Sequence, residues 1–182
     1  MKLITWNRII ALLSSVFAAS AFAHSGHHLA GGGSFFSGFM HPITGIDHLA
    51  AMLMIGVIGG SLAAKVGIRI IAMTAVALIM GFMLGHVLSA NSTAELVVSF
   101  SLVALPLTFF AMKKKAIVTS LAAMSLLTFG ATHGFVIGSE VTGNAMMFGL
   151  GTSLSSVCLC LMAFVLARTI QRRSEQALPA AH

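Results

Sequence analysis

Charge is what this sequence has least of. Asp, Glu, Lys and Arg together make up 8% of its 182 residues, while apolar types make up 58% and the mean hydropathy is +1.01. A water-soluble fold cannot hide that much apolar surface, so the composition excludes one and points to a membrane protein of a single domain. Cysteine is also scarce. Cys158 and Cys160 are the two, and at that spacing on a helix they face nearly opposite sides, which argues against a disulfide between them or a CxxC redox motif. No GxxxxGK[ST] stretch exists, so ATP hydrolysis by this chain is not expected. Acidic residues are missing from the depths of the apolar runs, which argues against a dedicated carboxylate proton relay and leaves coupling through histidine open. The net charge of +6 does not point to nucleic acid, because the basic residues fall in small groups between apolar runs and not on one solvated face.

In chain order, residues 1–23 have the layout of a signal peptide. Lys2 and Arg8 precede an apolar run, and Ala-Phe-Ala ends it, predicting cleavage after Ala23. A His/Gly-rich lead, residues 24–40, follows. Its His24, His27 and His28 can gather metal ions loosely or be incidental to a solvated tail. Five apolar segments then approach the length of a bilayer span: residues 42–63, 68–88, 96–112, 116–135 and 145–167. Lys65 and Arg69, then Lys113 to Lys115, then Arg168, Arg172 and Arg173 occupy alternate connections and the tail. The positive-inside rule places those basic stretches, including the tail 168–182, in the cytoplasm, and the mature N-terminus outside. The expected fold is all-α: a polytopic membrane bundle of five transmembrane helices after a cleaved signal peptide, with residues 41–167 as the transmembrane domain.

The chain is organised around His41 to Met52, HPITGIDHLAAM, at the start of the first span. With Pro42 in the first helical turn, His41, Gly45, His48, Met52 and Gly59 form one stripe and Asp47 lies beside it. His86 in GFMLGH and His133 in GATHG sit near the outer ends of the second and fourth spans, so the intramembrane histidines share one outer layer. Gly81 with Gly85, and Gly130 with Gly134, are small-xxx-small pairs that let helices approach closely, whether for packing alone or to bring ligands together.

Imidazoles with a carboxylate suit Ni²⁺, Co²⁺, Zn²⁺ or Cu²⁺ and not Mg²⁺ or Ca²⁺, which prefer oxygen shells. Asp47, His48, His86 and His133 would supply four ligands, with His41 or Glu140 as a fifth or as the first met by an incoming ion. A single intramembrane histidine more often makes a structural hydrogen bond; three at one depth beside an acid favour a metal. The 12 methionines suggest a rival Cu⁺ path past Met52, Met80 and Met83, although methionine is ordinary filler in cores. Two other classes compete: an intramembrane zinc-dependent hydrolase, with Asp47 or Glu140 activating water, and a haem module with paired axial histidines.

HPITGIDHLAAM resembles the HPxxGxDHxxAM signature of the HupE/UreJ family of nickel permeases, and MIGVIGG, GFMLGH and THGF are similar to that family as well. The resemblance implies a small inner-membrane carrier, not an enzyme, that brings nickel or in some members cobalt towards hydrogenase or urease assembly, with the metallochaperones of those pathways downstream. It implies no prosthetic group; the ion is cargo. His41, Asp47 and His48 are motif positions, and His86 and His133 match later histidines.

Overall fold

The computed structural model describes residues 33–88 and 116–177, which form five helices and no strand. These are α1 (Phe35–Thr44), α2 (Ile46–Gly60), α3 (Ala64–Val87), α4 (Ala116–Glu140) and α5 (Ala145–Ala177). The expected signal segment 1–23, the histidines His24, His27 and His28, and the third apolar segment 96–112 lie outside the described residues.

A capping box starts α1. Ser34 Oγ accepts from the Ser37 N–H, and Ser37 Oγ accepts from the Ser34 N–H, each at 3.0 Å, so two otherwise orphaned donors are satisfied. The helix therefore begins well before Pro42, inside the stretch expected to be a lead. Residues 42–63 are not one straight helix opening on Pro42, and that expectation is corrected. Pro42 lies within α1, and the chain turns by 78° between α1 and α2. Proline has no N–H to donate to the carbonyl four residues back, here that of Gly38. Thr152 on α5 replaces it, its Oγ1 donating to Gly38 O at 2.9 Å in a buried contact. The break itself falls at Gly45, whose extended backbone (φ −77°, ψ 105°) ends α1 and begins α2.

The second half of this elbow is the centre of the bundle. Ala51, Met54, Ile55 and Ile58 of α2 are fully buried. α5 runs alongside in the same direction, closely enough that a Cβ on Gly56 would strike the Cys160 carbonyl and one on Gly60 the Ala167 side chain. α3 returns antiparallel after a short turn, bringing Gly59 beside Gly67. α4 then packs parallel to α3 through a seam of glycines: Gly81 meets Ala131, Gly85 meets Phe135, and Gly134 meets the Leu78 carbonyl. Both small-xxx-small pairs lie in this seam, which allows backbone-to-backbone contact.

α3 and α5 are long and apolar enough to cross a membrane, and the bent pair α1 and α2 passes the same test as one broken span. Their outward faces are apolar: Met73, Met80, Met83, Leu154, Met162 and Val165 are all exposed, more apolar surface than a soluble monomer leaves bare. Lys65 and Arg69 at the start of α3 and Arg168, Arg172 and Arg173 near the end of α5 share one end of the bundle. There the Arg168 guanidinium donates to Leu62 O at 2.8 Å, satisfying a carbonyl just beyond α2. α5 does not stop at residue 167 but continues through Ala177.

Candidate metal centre

The opposite end, where α2 and α5 begin and α3 and α4 finish, holds the histidines. The elbow places Asp47 and His48 in the first turn of α2, directly after the break, while His41 sits in the last turn of α1. The α3–α4 seam brings His133 in from α4. His48 is 6% exposed and His133 is fully buried. One ligand atom from each of Asp47, His48 and His133 lies within 4.8 Å of the others. Two donors on one ion, at bond lengths near 2.1 Å, stand at most about 4.2 Å apart, so small side-chain movements would close the group on a cation. Asp47 Oδ2 and His48 Nδ1 are 3.8 Å apart, too long for a hydrogen bond between them and suited to an ion shared by both.

His48 is flanked by imidazoles. The His41 ring lies 4.9 Å from it, tilted by 35°, and the His133 ring 4.9 Å from it, nearly edge-on at 79°. His41 Nε2 is buried and makes no hydrogen bond among the described residues. Aromatic rings close the surroundings: Phe129 lies 4.2 Å from His133, Phe148 meets His41 edge-on at 5.5 Å, and Phe82 stacks on Phe148. Such walls exclude water and strengthen the interaction of a cation with the carboxylate. Gly45 leaves room for the arrangement, since a Cβ there would stand 2.9 Å from His48 Cδ2 and 3.4 Å from Asp47 Oδ1.

Residues 11–181 match the family described as HupE / UreJ protein. The chain belongs to the HupE/UreJ family. No curated protein and no solved structure matches it. This HupE/UreJ chain is thus a helical membrane protein by family and by its apolar helices alike.

Not every residue singled out in the sequence joins the centre. His86 lies in the last turn of α3, exposed, and is not in the group formed by Asp47, His48 and His133. Glu140 is exposed at the end of α4 and is also outside that group. Met80 and Met83 face outward and only Met52 of the three methionines is buried, so they do not line a common path. Cys158 is exposed and Cys160 buried, both as free thiols. Thr152, Phe129 and Phe148 support the site without having been anticipated. Phe129 was within reach, because it precedes His133 by one helical turn and must share its face. Nothing local to Thr152 signals that it serves a proline on another helix.

Proposed function

We propose that this chain is an inner-membrane permease that takes a divalent transition metal ion, nickel first and cobalt as the alternative, from the periplasm through a site built on Asp47, His48 and His133. The observation that carries the reading is the convergence of those three donors, from two helices, within 4.8 Å. Two nitrogens and a carboxylate are a borderline donor set, matched to Ni²⁺ or Co²⁺ and poorly matched to Mg²⁺ or Ca²⁺. His41 stands beside His48 as a further ligand for an arriving or departing ion.

The orientation is part of the proposal. His48 and Gly60, at the end of α2 next to the Leu62 carbonyl, are separated by twelve helical steps, about 18 Å at 1.5 Å per residue. If the arginine-rich end marks the cytoplasmic surface by the positive-inside rule, the cluster lies in the outer part of a hydrocarbon core about 30 Å thick. Five spans, a signal cleaved after Ala23, a periplasmic mature N-terminus whose His24, His27 and His28 gather the ion, and delivery to hydrogenase or urease metallochaperones complete the picture. The membrane potential alone favours inward passage of a dication by about 4.6 kcal/mol per 100 mV, enough to drive uptake without a second substrate. The family gives no support to the hydrolase alternative.

Proteoliposome uptake of labelled nickel, cobalt and zinc in competition, with an imposed inside-negative potential, tests this directly. The expected result is potential-driven nickel uptake, suppressed by cobalt and lost on His48→Ala. Uptake that is absent, or unchanged in both His48→Ala and Asp47→Ala, would overturn it.

A further inference from the structure

The end of the bundle away from the histidines carries a cleft that the metal centre does not use. Its volume is about 300 Å³, and it lies between the α2–α3 turn at Ser61, Leu62 and Ala63 and the Arg168, Arg172 and Glu175 side of α5. Topology asks only that basic residues stand at this end, as Lys65, Arg69 and Arg173 do. It does not ask that two of them share a hollow.

Arg168 is held in place. Its Nη1 donates to Leu62 O at 2.8 Å, and the guanidinium lies 5.6 Å from the centre of the Phe164 ring. A guanidinium has five N–H groups, so most of this one is unused by hydrogen bonds among the described residues, and a planar fork fixed in this way is preorganised for phosphate oxygens. Arg172 follows four residues later on the same helix face. Neither arginine forms an ion pair among the described residues. Glu175, the carboxylate of the cleft, accepts instead from Gln171 Nε2 at 3.3 Å. Two guanidiniums against one carboxylate leave the cleft net positive. α3 adds to this: it is 24 residues long, starts at Ala64 behind Ala63, and has no side-chain cap. Its first amides are left for an outside acceptor at the positive end of the helix.

The outer face of α5 decides what carries the anion. Leu161, Val165, Arg168 and Arg172 recur at steps of four, three and four, so they form one stripe. Leu161 is 41% exposed and Val165 60%, so an apolar track runs from the middle of α5 to the two guanidiniums. A soluble phosphate gains nothing from such a track, whereas an acyl chain does.

We propose that the cleft binds the phosphate group of an anionic membrane lipid, its oxygens accepting from Arg168, Arg172 and the first amides of α3 and its acyl chain lying along Val165 and Leu161. The bound lipid bridges the α2–α3 turn to α5 and clamps the end of the bundle opposite the metal centre. The site is independent of the transport reading, since it uses none of Asp47, His48 and His133.

The test titrates the full-length protein in neutral detergent micelles, where no charged bilayer attracts it, and counts bound lipid by native mass spectrometry. Phosphatidylglycerol is expected to stay bound as a single lipid, about 10-fold more tightly than phosphatidylcholine. Arg172→Gln should weaken that binding by about fivefold, the worth of one cation beside an anionic lipid. Arg173→Gln makes the same charge change one residue on, outside the cleft, and should stay within about twofold of the parent. Both positions are exposed, and matching thermal unfolding midpoints verify that both variants fold. Equal losses in the two variants, or no loss in Arg172→Gln, would overturn the site. Inorganic phosphate that displaces phosphatidylglycerol at comparable concentration would make the ligand a soluble anion and overturn the lipid assignment.

Discussion

The Thr152 hydroxyl donates to the Gly38 carbonyl, the acceptor that Pro42 leaves without its helical partner. A proline inside a buried helix would otherwise strand that oxygen, and the stranded group would favour a different path for the chain. Here the replacement donor comes from α5, so one side chain across the bundle helps, along with the close Gly38–Phe148 and Gly151–Phe35 contacts, to fix α1 beside the candidate centre. Thr152→Val removes the donor at almost constant volume and is expected to destabilise the protein by about 1–3 kcal/mol. Thr152→Ser keeps the donor and should recover most of the loss. Thermal unfolding in detergent or nanodiscs measures both.

Asp47→Ala, His48→Ala and His133→Ala should each lower nickel uptake by about 10–100-fold in cells grown at limiting metal, with membrane levels checked by immunoblot. His86→Ala and Glu140→Gln, at exposed positions outside the three-residue group, should stay within about twofold of the parent, the range expected of surface changes that cost little stability. A large effect at His86 with wild-type uptake in His133→Ala would reverse the assignment.

Two glycine substitutions should fail in different ways. In Gly134→Ala the new methyl meets the Leu78 carbonyl, backbone against backbone, so α3 and α4 must part and the yield of folded protein should fall. In Gly45→Ala the nearest atom is the edge of the His48 ring, a side chain that can rotate. Folding should survive there while nickel affinity drops. Size-exclusion profiles and nickel titration separate the two outcomes.

Arg168→Ala leaves the Leu62 carbonyl without its guanidinium donor and removes a cation lying 5.6 Å from the centre of the Phe164 ring. The expected loss is about 1–3 kcal/mol in unfolding free energy, partly restored by Arg168→Lys. Nickel affinity should be unchanged, since the centre lies at the other end of α2.

Much of this arrangement is legible in the residues themselves. Asp47, His48 and His133 meet because α2 and α4 run in opposite directions, and the glycine pairs on α3 and α4 announce a seam. His86 follows Gly85 of that seam by one residue, and the resulting rotation of about 100° already turns it away from the contact. Met83 fails as a pathway residue for the same reason. The elbow is another matter. Pro42 suits a first helical turn as well as an interior one, and what tips the balance is a hydroxyl 114 residues from Gly38 in the sequence, whose partner only the packed bundle reveals.

On the permease reading, the break at Gly45 also determines how firmly cargo is held. Because α2 starts at Ile46, its exposed amide end, equivalent to about half a positive charge, points into the same corner as the three donors. Asp47 must offset that repulsion before it can attract anything, so the site grips a dication less tightly than its inventory of nitrogens and oxygens would suggest. For the proposed permease, which must let go of its ion, a short residence time is an advantage, and an unbroken helix through this point would have forfeited it.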